Sequence, residues 1–196
     1  MTERDELTGE VSVKNKDLGD VTAETVSIKK GAANKVEAGT VEVILGSVNQ
    51  IDCETAVLRQ AGAQSVKGET VTIRQGGAVQ VTTDTLQATQ AAILLNRCSA
   101  ADLTAGQAGA VIADKATLDQ AFANLVISKG ETVLDQGGAG VLLASKVEAR
   151  NSGTVILIAG KVEGEVHALF DRQAAVVFGA VFGLVMAVIL RLTRRG

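Results

Sequence analysis

The sequence predicts an all-β chain: a parallel β-solenoid of about ten 15-residue coils, followed by one C-terminal transmembrane α-helix. Three observations carry this. Thr recurs at positions 25, 40, 55, 70 and 85, evenly spaced, and again at 117 and 132 with the same interval, with Thr154 beyond. The chain holds 21 Gly and no Pro, a mixture suited to many tight turns between short strands. Near the C-terminus the chain runs without a charge through "AAVVFGAVFGLVMAVIL", from Ala174 to Leu190.

These signals divide the chain into a charged N-terminal segment (1–10), a solenoid (11–169) and a membrane helix with a basic end (170–196). Within the solenoid, an aliphatic follows each corner Thr: Val26, Val41, Ala56, Val71 and Leu86, then Leu118, Val133 and Val155, with Val11 and Leu103 in the same phase. Two further columns run Val13, Ile28, Val43, Leu58, Ile73 and Val21, Val36, Ile51, Val66, Val81. Segments such as "VSIK" and "NKVEA" alternate as half-buried strands do. Small-residue knots, "KGAA" at 30–33, "GGA" at 76–78 and "GGAG" at 137–140, separate them. The expected coil therefore has two strands and two corners. A repeat that cannot bury its apolar face alone must stack on its neighbours, which gives a rod on the order of 45 Å long at about 4.8 Å per coil.

Later in the chain the pattern departs from this period. The stretch from Leu86 to Asp102 forms a 17-residue unit, and the wide gap from Thr132 to Thr154 implies a seven-residue excess looping out at a corner. Gln120 and Asp135 stand where Ile or Val stood before, so either the phase slips by one there or that face is open to a partner. The Thr column itself, Thr25, Thr40, Thr55, Thr70, Thr85, Thr117 and Thr132, is expected to be structural. Each hydroxyl bonds turn backbone and each methyl covers the core edge. Thr ranks at coil spacing also resemble the ice-binding faces of insect antifreeze β-helices, which display paired Thr-x-Thr and disulfides where this chain has single Thr and no evident Cys pairing.

Composition narrows the function. With no Trp, no Tyr, four Phe and a net charge of −3, the chain lacks the stacking platforms and basic groove that single-stranded nucleic acid requires, so no nucleic-acid partner is expected. Cys53 and Cys98 lie outside any Cys-x-x-Cys or Cys/His cluster, predicting no metal site. Three coil spacings, roughly 14 Å, separate them by too much for a disulfide. His167, the one histidine, has no nucleophile or oriented carboxylate beside it in sequence. A hexapeptide acyltransferase would need a six-residue period, and the Asp and Glu residues are scattered outward. No catalytic residue, no cofactor and no enzyme activity are expected.

The apolar run spans about 26 Å as a helix, enough to cross a bilayer with Arg191 snorkelling. The alternative is a helix buried as a plug at the solenoid end. Ala175, Gly179, Gly183 and Ala187 recur every four residues, a small-residue stripe of the kind that lets helices associate in lipid. Arg191, Arg194 and Arg195 favour a cytoplasmic C-terminus, which would put the solenoid outside. The opening "MTERDELTGE" has no apolar run after a basic start and predicts no secretory leader, so a tail anchor with the solenoid on the cytoplasmic side is the expectation.

The Val/Ile-rich short-coil body, together with "GTVILIAGKVEGEVHA" (Gly153 to Ala168) and its phrase "GKVEGEV", resembles the bactofilins, polymer-forming bacterial cytoskeletal β-solenoids. That family's coils are usually a little longer, and it lacks an integral C-terminal helix. The resemblance implies polymerisation through solenoid ends. The expected function is a membrane-tethered structural scaffold that contacts membrane lipid, forms a homo-oligomer or polymer, and presents a surface to an unidentified protein partner. The rivals are a binding module or stalk docking a specific enzyme at the membrane, and ice or lattice binding through the Thr rank.

Overall fold

The computed structural model describes the backbone of residues 5–6 and 9–170, and the side chains of residues 9–165. All described strands belong to one parallel sheet wound into a solenoid. After β1 (Asp5–Glu6), β2 (Glu10–Lys14) and β3 (Leu18–Lys29), strands of equal length follow: β4 (Ala32–Ile44), β5 (Ser47–Arg59), β6 (Gly62–Arg74), β7 (Gly77–Thr89) and β8 (Ala92–Thr104). Then come β9 (Gln107–Ala113), β10 (Lys115–Asp119), β11 (Phe122–Asp135) and β12 (Gly138–Phe170). Each of the equal strands pairs in parallel with the next at a 15-residue offset, as in Val36↔Ile51↔Val66↔Val81. The 15-residue coil is therefore the structural unit.

The coil has three sides where the sequence predicts two. In β4 the inward residues are Ala33, Val36, Ala38, Val41 and Val43. Alternation along a flat strand moves by two, so the steps of three, from 33 to 36 and from 38 to 41, are where the chain bends without leaving the ladder. The third bend is made by a left-handed residue. Asn15, Lys30, Leu45, Gln60, Gln75, Gln90, Ala105, Gln120, Gln136 and Asn151 all have φ between 48° and 56°, and these ten corners bound nine turns. Left-handed backbone costs a non-glycine residue of order 1 kcal/mol or more. Here hydrogen bonds to neighbouring coils on either side of the corner offset it. Lys30 N–H donates to Ile44 O at 2.9 Å, and Ser47 N–H donates to Gly31 O at 3.1 Å.

The core is a stack of aliphatic ladders. Val26, Val41, Ala56, Val71, Leu86, Ala101, Ala116, Thr132 and Val147 form one column; Ile28, Val43, Leu58, Ile73, Ala88, Leu103, Leu118, Leu134 and Ala149 form its neighbour. Bulk is shared between them. Ala56 sits with Leu58, Leu86 with Ala88, Ala101 with Leu103 and Ala116 with Leu118, which keeps the interior close-packed at constant coil length.

These registers correct several expectations. Leu103 and Leu118 belong to the second of these columns, Val133 faces outward, and Val155 is exposed. Thr117 pairs with Asp102 on the outer surface, and Thr132 pairs with Ala116 in the core, so neither continues the corner column, which runs on as Ala100 and Lys115. No 17-residue unit or seven-residue excess exists among the described coils; the departures are register shifts of one residue, between Ser128 and Glu131 and between β1 and β2 where they pair with β3. Gln120 is a left-handed corner residue, and Asp135 pairs with Asp119 outside the core, so neither has displaced an inward aliphatic. The tail helix and its stripe Ala175, Gly179, Gly183 and Ala187 lie outside the described residues. Among the described residues, no helix is long and apolar enough to cross a membrane.

Candidate functional surfaces

Three sides give three outer surfaces, and each changes character along the rod. The side carrying the corner Thr places Thr25, Thr40, Thr55, Thr70 and Thr85 in strict register, one above the next. The neighbouring outward column reads Ser27, Glu42, Val57, Thr72 and Gln87, so the rank is one Thr wide except at Thr70 and Thr72. Hydroxyl bonds to the adjacent coil's backbone arise in another column. Thr83 Oγ1 donates to Glu69 O at 2.8 Å and Ser128 Oγ to Asp114 O at 2.9 Å.

That column is the small-residue one: Ala23, Ala38 and Cys53, then Gly68, Thr83 and Cys98, then Ala113, Ser128 and Ala144 at matching positions of later coils. Both cysteines are free and half-buried, three coils apart. Burial pushes the Cys53 thiol up to about 11, with the Asp52 carboxylate adding to it. Burial also raises Cys98, opposed by the hydrogen bond from the Asn96 amide. A thiol held protonated is a poor nucleophile and a poor metal ligand. Among the described residues no group of three or more His, Cys, Asp or Glu is placed to hold a metal ion. His167 falls beyond the described side chains.

On the second side the polarity reverses halfway along. In the early coils its two outward columns read Lys35, Gln50, Ser65, Gln80 and Glu37, Asp52, Lys67, Thr82. From Leu95 onward they become Ala110, Leu125, Val141 and Ile112, Ile127, Leu143, with Ile156 and Ile158 one coil further. Ile158 is 59% exposed and Ile156 39%. In these coils both faces of the strand are apolar, and the signal was legible as the unbroken runs "AVIA", "LVIS", "VLLA" and "VILIA".

The third side holds a shallow groove of about 630 Å³ along the left-handed corners, lined in part by Gln120, Phe122, Gln136 and Val155. Phe122 is 46% exposed and stands beside Gly138 in the next coil. Of the two residues expected to mark an open later face, Gln120 lies in this groove beside Phe122, and Asp135 lies on the neighbouring side. The corner also carries a ladder that follows from the 15-residue spacing of its glutamines: Gln60 donates to Gln75, and Gln75 to Gln90, at 3.3 and 3.1 Å.

Comparisons of the chain with protein-family models, with curated proteins and with solved structures find no match.

Proposed function

We propose that the chain is a membrane-tethered structural scaffold, bactofilin-like in that the solenoid self-associates, with the tail helix from Ala174 to Leu190 anchoring it and the rod on the cytoplasmic side presenting a surface to partner proteins. The observation that carries this reading is the change in polarity of the second side. Its apolar stretch is confined to the coils nearest the apolar tail, where a rod rooted in a bilayer would bring it against lipid or against neighbouring rods. The final described coil adds to this. Val162 continues the column of Leu86 and Val147 yet is 44% exposed, so among the described residues an apolar end and its strand edge are left uncovered, where a further chain would add.

The test is membrane flotation of the full chain followed by electron microscopy of detergent-purified protein. Co-flotation with lipid and regular fibres support the proposal. A chain that stays in the soluble fraction would sink the tether, and discrete particles without fibres would sink end-to-end growth. A second reading, a stalk that docks a specific enzyme at the membrane, draws on the Phe122 groove. In that case one protein copurifies at fixed ratio with the full chain and is lost on Phe122→Ser.

A further inference from the structure

The side that carries the corner Thr has charges that, in one of its outward columns and over six successive coils, read the same from both ends once the sign is reversed. Its outward column nearest the left-handed corner runs Arg59, Arg74, Thr89, Thr104, Asp119, Asp135 in successive coils. Turned end for end, both arginines meet aspartates and the central threonines meet each other. The column beside it runs Val57, Thr72, Gln87, Asp102, Thr117, Val133, so Val meets Val and Thr meets Thr about the same midpoint. The left-handed corner sets Gln60 and Gln75 opposite Gln136 and Gln120, with Gln90 opposite Ala105, while in the corner-Thr column Thr70 meets Lys115 and Thr85 meets Ala100.

From this we infer that a second copy of the chain packs side by side on this face, antiparallel, about a two-fold axis passing between the coils of Thr89 and Thr104. A two-fold axis lying across the rods sets each column against itself with the order of coils reversed, which is the geometry of an isologous interface. Arg59 then faces Asp135 of the second copy and Arg74 faces Asp119, each pair occurring twice.

Within a single chain these four side chains take part in none of the ion pairs among the described residues. They are instead stacked as like charges in adjacent coils, Arg59 on Arg74 and Asp119 on Asp135. Like charges at strand spacing repel, and the second copy converts that cost into attraction. The register is unique over neighbouring slips. A slide of one coil either way leaves only one of the two arginine–aspartate pairs. One coil outside the central six, Glu42 meets Glu148, whose charge is already taken up by Arg150 at 3.2 Å. A face on the order of 43 Å by 15 Å offers roughly 650 Å² per copy, close to the standard size of about 800 Å² for a specific interface.

This deepens the self-association reading by giving the rod a lateral partner, and it depends on neither the tether nor the open end. The test uses the full chain in detergent, with Cys53→Ala and Cys98→Ala removing the native thiols and Thr72→Cys with Thr117→Cys placing two probes. Within one chain these lie three coils, about 14 Å, apart, and across the two-fold they face each other over about 10 Å, so a bismaleimide spanning about 8 Å between sulfurs joins only the latter. The expected result is crosslinked dimer from the double-cysteine chain and a tenth as much or less from either single-cysteine chain. Adding Arg59→Glu and Arg74→Glu should cut the yield at least tenfold, and adding Asp119→Arg and Asp135→Arg to those should restore it. Restoration separates lost pairing from lost folding. No dimer-specific crosslink, or a yield indifferent to charge reversal, would overturn the proposal. Crosslinks without fibres would overturn end-to-end growth alone, and fibres without crosslinks the lateral pair alone.

Discussion

Thr132 and Thr55 carry the same side chain in opposite circumstances. Thr55 stands in the corner column, half-exposed, while Thr132 is fully buried between Ala116 and Val147 with no partner for its hydroxyl. Burying a hydroxyl without a hydrogen bond costs about 1–3 kcal/mol. Thr132→Val, nearly the same shape, should therefore stabilise the chain by about 1 kcal/mol, whereas Thr55→Val should leave it within about 0.5 kcal/mol; urea midpoints at constant slope read both. Asn96 has the same fault in the column of Val81 and Val111, its Oδ1 unpartnered and its Nδ2 donating only to Cys98 Sγ at 3.4 Å. The sequence alone could not separate the two threonines. Thr117 and Thr132 keep the same interval as the corner set, but Thr117 stands two places beyond a whole number of coils after Thr85, and the register shift after Ser128 moves Thr132 one place back. A periodicity counts spacing, and phase is lost wherever one residue is inserted.

At the scale of the element, the left-handed corner decides which sequences the coil accepts. The residue after each corner is pressed against the carbonyl of the coil before it: a Cβ at Gly31 would collide with Lys16 O, at Gly46 with Gly31 O, and at Gly76 with Ala61 O. From Ala61 onward this position alternates, with Gly76, Gly106 and Gly137 between Ala61, Ala91 and Ala121, so each alanine has glycine in the coils on either side. A branched side chain is a larger intrusion than any the column carries. Gly76→Val should destabilise by at least about 2 kcal/mol, by the cost of overpacking added to the lost corner bonds, while Gly62→Ala, with open space around its Cβ, should change stability by less than about 0.5 kcal/mol. Thermal unfolding of the two variants side by side makes the comparison. The small-residue knots marked this corner in the sequence. The recurring Thr marked the bend at Gly39-Thr40 as a second corner. The bend at Asn34-Lys35 was invisible because it is a step of three in an otherwise alternating strand, drawn from residue types that also occupy straight segments.

For the whole molecule, the consequence of stacking identical turns is that length is a free variable and phase is not. The inward columns here repeat with the coil, and the corner at Gln75-Gly76 is followed by the same register as the corner at Gln90-Ala91, since Gly77 pairs with Ala92 and Ala78 with Ile93. Excising residues 77–91 therefore joins Gly76 to Ala92 with each later residue still in its own column. Such a chain should fold, and its rod should be shorter by about 4.8 Å, with a melting point lowered only modestly because one nearest-neighbour interface is lost among nine turns. Excising residues 77–84 instead removes about half a turn. Thr85 would then follow Gly76 and enter the place of Gly77, Thr89 would enter the buried place of Val81, and Ile93 would leave the core for the corner place of Thr85. Downstream aliphatics would be shifted off their ladders, exposing the core at the junction. Small-angle scattering and circular dichroism of the two excisions distinguish them. A folded, shorter rod from the first and an unfolded or aggregated chain from the second is the expected outcome, and comparable damage from both would mean that the coils are not interchangeable units held by their neighbours.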